Sequence, residues 1–284
     1  MLKNGGISMK KFLLGLSALV LALFSSVAIY LYFTQEAQIF AFPQLPQDYR
    51  YEIEHPHRHV QLSTGQDGDI HAILYESLLE NPRGVIYYFH GKGSNLSHPK
   101  WQKVVDRYTG LGFDLFMIDY RGAGLSRGEF VEQEMLADCL AGYNYLLEHY
   151  PEEKITVYGK SLGTSFATFV ASNTNPRALI LEAPFYNLYD IACKTVPQVP
   201  SFIISMILKY PLRTDLWIQN VKCPIYLFHG TSDKVIPEDA SIRLSQLVGE
   251  RANLTIIEGG DHDHLYKHEV FNIKIEEALG LKSD

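Results

Sequence analysis

From residue 51 onward, short apolar runs rich in β-branched and aromatic residues alternate with longer segments of helical period. Strands are expected near 51 to 62, 70 to 77, 84 to 89, 114 to 118, 155 to 158, 178 to 181, 224 to 228 and 253 to 257. Helices are expected between them near 98 to 109, 131 to 149, 162 to 172, 237 to 248 and 267 to 279. The clearest helix is the segment 131 to 149, where Val131, Met135, Leu136, Cys139, Leu140, Tyr143, Leu146 and Leu147 mark one apolar face. Such alternation predicts an α/β fold with a mostly parallel central sheet of about eight strands flanked by helices. The turn-like Gly65-Gln66-Asp67-Gly68 splits the first two strands and predicts an antiparallel start.

One interval breaks the rhythm. About 40 residues, 186 to 221, separate two strands that far fewer could join. The apolar, proline-punctuated VPQVPSFIISMILKYP within it predicts a short cap inserted over a pocket; one more core helix is the plainer alternative.

Upstream of the sheet, Phe12 to Phe33 is an almost unbroken apolar run behind Lys3, Lys10 and Lys11. At about 20 residues it is long enough to cross a bilayer core as a helix. Residues 1 to 34 are read as a cytoplasmic stub and transmembrane anchor, and 35 to 50, with Pro43 and Pro46, as a connector to a catalytic domain at 51 to 284. A cleaved signal peptide is the rival, with Ser26-Val27-Ala28 as the small-residue site. The anchor is preferred because Ile29-Tyr30-Leu31-Tyr32-Phe33 stays apolar and aromatic past that site, as the interfacial edge of a span does. The lysines then face the cytoplasm and the domain lies outside it, in a bacterium in the periplasm; signal cleavage would instead give a secreted protein.

Composition narrows the function classes. The net charge of −7 comes from interspersed acidic and basic residues, so no basic face is present to attract nucleic acid. Cys139, Cys193 and Cys223 lack ligand spacing, so zinc is not indicated; buried thiols are preferred over a Cys193–Cys223 bridge. His55, His57 and His59 alternate as an exposed edge strand does, without need of a metal.

Candidate chemistry starts at Gly159-Lys160-Ser161-Leu162-Gly163, a G-x-S-x-G sequence that follows the β-rich ITVY and opens a helical segment. In that context a sharp strand-to-helix turn exposes a serine hydroxyl, and the glycines let strand and helix approach closely. The strand GVIYYF runs into His90-Gly91-Lys92-Gly93-Ser94, where a second oxyanion donor is expected. The Leu162 and Lys92 backbone N–H groups are the candidate pair. His90 precedes the nucleophile and is read as shaping its loop. The order serine, acid, histidine is completed by Asp233 after the strand PIYLF and by His262 after ANLTIIE, each at the C-terminal end of a strand. Asp119-Tyr120-Arg121-Gly122 lacks the pattern of a phosphate loop and is read as structural.

The ordered set FHGKGSN, IDYRGAGLSRG, YGKSLGT, LEAPF, FHGTSDKVIP and IEGGDH resembles the α/β-hydrolase superfamily across residues 50 to 280. It is most similar to the membrane-anchored serine hydrolases that include monoacylglycerol-lipase-like, depalmitoylase-like and serine-aminopeptidase-like proteins. The chain departs from that branch at Asp261-His262-Asp263-His264, where Gly-His-Asn is usual, and at Lys92, where Gly or Asn is common. Spacing from Glu258-Gly259-Gly260 selects His262 over His264.

The resemblance implies an α/β-hydrolase fold and a serine hydrolase that cleaves carboxylic ester or thioester bonds through an acyl-enzyme. No metal or organic cofactor is expected. A small-molecule or lipid-like acyl substrate and the membrane are the expected partners, lipid-derived acyl groups being favoured by the anchor beside an apolar cap. A serine aminopeptidase and a non-catalytic scaffold remain the alternatives, and the oligomeric state is left open.

Overall fold

The computed structural model describes residues 9–64 and 69–281, so the turn expected over Gly65 to Gly68 lies outside the described residues. In chain order the elements are α1 (Met9–Ile39), β1 (His57–Ser63), β2 (Asp69–Tyr75), β3 (Val85–Phe89), α2 (Trp101–Gly110), β4 (Asp114–Ile118), α3 (Glu132–Leu147), β5 (Ile155–Lys160), α4 (Gly163–Asn173), β6 (Ala178–Glu182), α5 (Leu188–Thr195), α6 (Ser201–Ile207), α7 (Thr214–Trp217), β7 (Ile225–Gly230), α8 (Asp239–Val248), β8 (Ala252–Ile257) and α9 (Glu269–Ala278).

The eight strands form one sheet in the order β1-β2-β4-β3-β5-β6-β7-β8. β2 runs antiparallel to both β1 and β4, and every other pairing is parallel. β3 (VIYYF) and β4 (DLFMI) are buried at every position, because helices cover both faces. Alternation sends Tyr87 and Phe89 into the core shared with α3 and α4, and Ile86 and Tyr88 into the core shared with α2 and α9. The edge strand β1 buries only Val60 and Leu62. It starts at His57 and not at Tyr51, since Pro56 has no N–H to give a ladder.

The interval 186 to 221 folds as the three short helices α5, α6 and α7. Asn187 caps α5 by accepting the Asp190 N–H at 2.8 Å. α7 docks on α4, where the Thr214 and Ser165 hydroxyls bond at 2.8 Å. Residues of α5 and α6 line a cavity, while Leu188 of α5 and Ile218 after α7 also join the hydrophobic core.

The N-terminal region differs from the sequence reading. The helix does not stop at Thr34 but runs to Ile39, and the stretch read as a connector is built into the body. Phe40 is fully buried, stacked on Phe130 at 4.9 Å and edge-on to Tyr210 at 4.9 Å. Phe42 stacks on Tyr120 at 5.1 Å, and Gln44 forms a bridge with Gly124. Two large aromatic side chains outweigh the polar and proline signals of this segment, because burying each one stabilises the fold by about 2 kcal/mol. Upstream, the apolar part of α1 is exposed to the surroundings, with a mean hydropathy of 2.4 over its best 18-residue window. At 1.5 Å per residue the whole helix is about 46 Å long, more than a bilayer core requires.

The three cysteines are unpaired, Cys139 and Cys223 buried and Cys193 half-buried.

Candidate active site

Four loops converge at the C-terminal edge of the parallel strands, following β3, β5, β7 and β8. After β5 the chain turns into α4 at Ser161, whose φ of +52° lies in the left-handed region that non-glycine residues rarely adopt. The turn is held by the Ser161 N–H donating to the Glu182 carbonyl at 2.9 Å. Gly159 and Gly163 are required by space: a Cβ at the first would collide with the Gly163 carbonyl, and at the second with the Phe89 carbonyl. Close approach of α4 to β3 therefore brings the His90-Gly91-Lys92 loop beside Ser161, with the Cβ position of Gly91 3.4 Å from the Ser161 Cβ. Lys92, Ser161 and Leu162 line one cavity together.

His262 lies between the other two residues. Its Nε2 is 2.9 Å from Ser161 Oγ and its Nδ1 is 2.7 Å from Asp233 Oδ2. A proton on Nδ1 donated to the carboxylate leaves Nε2 to accept from the serine hydroxyl. The Asp233 side chain is fully buried, and its Oδ1 accepts the Val235 and Ile236 N–H groups at 2.8 and 2.9 Å. Burial alone would raise this carboxyl, but hydrogen bonds from His229, His262 and the Ile236 N–H outweigh it and hold the group well below the usual carboxylate range. The acid loop and the histidine loop are stitched together: Ser232 N–H donates to the Gly260 carbonyl and Gly259 N–H to the Thr231 hydroxyl, both at 2.9 Å. Gly230 permits this, since a Cβ there would strike the Gly260 carbonyl. His264 points elsewhere, its ring paired with Asp261 at 3.0 Å on the exposed side of the loop.

His90 is fully buried, its Nδ1 donating to the Gly91 carbonyl at 2.8 Å, and burial pushes its imidazole down to about 4. It packs against Tyr120 and Trp101, as a residue that shapes the loop does. Arg121 of the Asp119-Tyr120-Arg121-Gly122 turn is buried in a two-pronged pair with Asp138, at 2.9 and 2.8 Å. Among the described residues no group of His, Cys, Asp and Glu is arranged to hold a metal.

Motif reading missed two supports of the site and one of its walls. His229 Nε2 donates to the Ile236 carbonyl at 2.8 Å and lies 3.3 Å from Asp233 Oδ2, while its Nδ1 accepts from Ser241 at 2.6 Å. Its signal was its place four residues before Asp233 at the end of an apolar strand. Lys160, the residue before Ser161, pairs with Glu182 at 2.9 Å and donates to the Asp263 carbonyl at 3.2 Å, tying the turn to the histidine loop. The wall is the end of α1: Leu31, Gln35 and Ile39 line the same cavity of about 460 Å³ as Ser161, together with residues of α5 and α6. Nothing in the sequence pattern joins a membrane helix to a pocket 130 residues further on.

The family described as "Serine aminopeptidase, S33" matches residues 80–210, a stretch that contains Ser161 but ends before Asp233 and His262. The chain is 27% identical over 198 residues to the lysophosphatidylserine lipase ABHD12 of Danio rerio, which covers 64% of this chain and 52% of that one. It thus spans about half the length of that relative. Protein bem46 of Schizosaccharomyces pombe is 27% identical over 255 residues, 83% of this chain and 81% of its own. Among solved structures, the Pyrococcus furiosus esterase Pf2001 superposes with a TM-score of 0.63 at 17% identity, covering 84% of this chain and 95% of its own. The strand order and these likenesses to lipase, esterase and peptidase-family proteins agree, and the chain has the α/β-hydrolase fold.

Proposed function

We propose that this protein is a membrane-anchored serine hydrolase that cleaves carboxylic ester or thioester bonds of lipid-derived acyl groups. The observation that carries the reading is the hydrogen-bonded chain from Asp233 through His262 to Ser161, which lines an apolar cavity. In this mechanism the Ser161 oxygen attacks the acyl carbonyl carbon while His262 Nε2 takes its proton. The carbonyl π electrons move onto oxygen, and the oxyanion is held by the Leu162 and Lys92 N–H groups. Collapse breaks the bond to the leaving alcohol or thiol, which His262 protonates. Water, deprotonated by the same imidazole, then releases the acid and restores the serine. Asp233 keeps the Nδ1 proton in place and stabilises the imidazolium.

A lipid-like acyl group is favoured by the cavity wall, where Leu31, Ile39, Ile191, Ile204 and Ile207 leave few polar groups to recognise a peptide. The likeness to a lysophosphatidylserine lipase agrees with a lipid ester, and the match to the aminopeptidase family supports a peptidase as the second reading. Residues 1–34 serve as stub and anchor, the cap is the segment 186–221, and Lys10 and Lys11 before the apolar run favour a domain held outside the cytoplasm. A fluorophosphonate probe on wild type and Ser161→Ala, beside p-nitrophenyl esters of graded chain length and aminopeptidase substrates, tests the reading. Labelling lost only in the variant and turnover of esters support it; an unlabelled wild type overturns it, and cleavage of the peptide substrates alone selects the peptidase.

A further inference from the structure

We infer that the last two turns of α1 are a wall of the acyl-binding pocket, so that the chain of a bilayer-resident ester slides from the membrane along the anchor to Ser161. The inference rests on the serine-hydrolase reading and goes beyond it, because it gives the anchor a part in selecting substrate.

Three observations meet here. The first is the cavity, which Leu31, Gln35 and Ile39, spaced by four on one face of α1, line together with Ile204 and Ile207 of the adjacent α6 and with Ser161. The second is the fixed register of the helix. Gln35 is buried, its Nε2 donating to the Ile207 carbonyl at 3.0 Å and its Oε1 accepting the Lys209 N–H at 2.9 Å. Glu36 accepts from Lys209 Nζ at 3.1 Å and from the Tyr210 hydroxyl at 2.8 Å. A helix that served as tether alone needs no such clamp, since ordering those side chains costs conformational entropy without helping it hold the bilayer. The third is depth. Leu31 belongs both to the apolar run ending at Phe33 and to the cavity, so the pocket begins where the helix leaves the hydrocarbon. Beside it, α6 turns Phe202 (64% exposed) and Met206 (79% exposed) outward while Ile204 and Ile207 face the cavity. A short helix that is apolar on both faces and packed against a membrane helix suits the bilayer surface, where its outer face is covered by lipid.

The full-length protein in phosphatidylcholine vesicles tests this with p-nitrophenyl palmitate against p-nitrophenyl butyrate, each variant being labelled with a fluorophosphonate in parallel. Leu31→Trp, which fills the wall, is expected to lower the palmitate-to-butyrate rate ratio about tenfold or more, the scale of a misfit in an apolar pocket. Ile29→Trp, on the exposed face of the same helix, is expected to keep the wild-type ratio. Leu31→Ala removes bulk, cannot clash, and is expected to raise the stearate rate relative to palmitate. A wild-type chain-length profile in Leu31→Ala, or in a Leu31→Trp protein that still labels, overturns the inference. Wild type that neither labels nor turns over either ester removes the serine-hydrolase reading instead, so the two failures are told apart.

Discussion

His262 Nε2 lies 2.9 Å from Ser161 Oγ although 101 residues separate them, and the same imidazole reaches Asp233 at 2.7 Å. In the proposed mechanism the hydroxyl's part is chemical, so Ser161→Ala should abolish ester turnover with little change in thermal stability. Loss of such a group typically costs on the order of 10⁴ to 10⁶ in turnover. Purified Ser161→Ala retaining more than a few per cent of wild-type activity would sink the assignment.

The paired histidines are expected to separate cleanly. His262→Ala should be nearly inactive, whereas His264→Ala removes an exposed partner of Asp261 and should stay within a few-fold of wild type. Steady-state kinetics of the two variants on one soluble ester decides it; the reverse outcome would mean that the loop is read two residues out of register.

His229 is expected to act as a positioning residue for the acid. His229→Leu withdraws a donor from Asp233 and leaves the buried Ser241 hydroxyl and Ile236 carbonyl without their partner, at a cost of about 1 to 3 kcal/mol. Asp233 has a lowered folded-state pKa, so the stability it contributes is present above the ordinary carboxylate value and is lost as pH falls through the lowered one. Weakening that depression should move the acid-side loss of activity and stability to higher pH. Thermal melts and kcat profiles across the acid range check this, and an unshifted acid limb would leave His229 a packing residue only.

Phe40 follows the anchor yet sits in the core against Phe130 and Tyr210. Phe40→Ala should cost about 3 to 5 kcal/mol, the usual range for a buried Phe truncation. Chemical denaturation of the detergent-solubilised protein measures it. A cost under about 1 kcal/mol, near that of a surface change, would show that the segment behaves as a loose connector after all.

Retention of α1 is the last expectation. A protein that keeps an apolar run of about 20 residues should stay in the membrane pellet after high-salt and alkaline washing. N-terminal sequencing of the mature protein gives the decisive reading: a start at or near Ile29 means signal cleavage and a secreted enzyme.

The sequence by itself determined the sheet and the three residues that meet at its edge. Strands such as VIYYF and DLFMI are local apolar runs, and the glycines around Ser161, Gly230 and Gly260 mark close backbone approaches that the chain order makes interpretable. Ser161, Asp233 and His262 sit in the loops that follow β5, β7 and β8, so a parallel topology brings them to one edge whatever the connecting helices do. Tertiary structure alone decided where α1 ends and what its last turns touch. Gln35, Glu36 and Phe40 are ordinary connector residues until Lys209, Tyr210 and Phe130, which lie far along the chain, are folded against them. Likewise the exposed His264 and the buried His229 look alike as letters, and only packing gives one to solvent and the other to Asp233. Periodicity reports which face of an element is apolar; it does not report which distant surface that face meets.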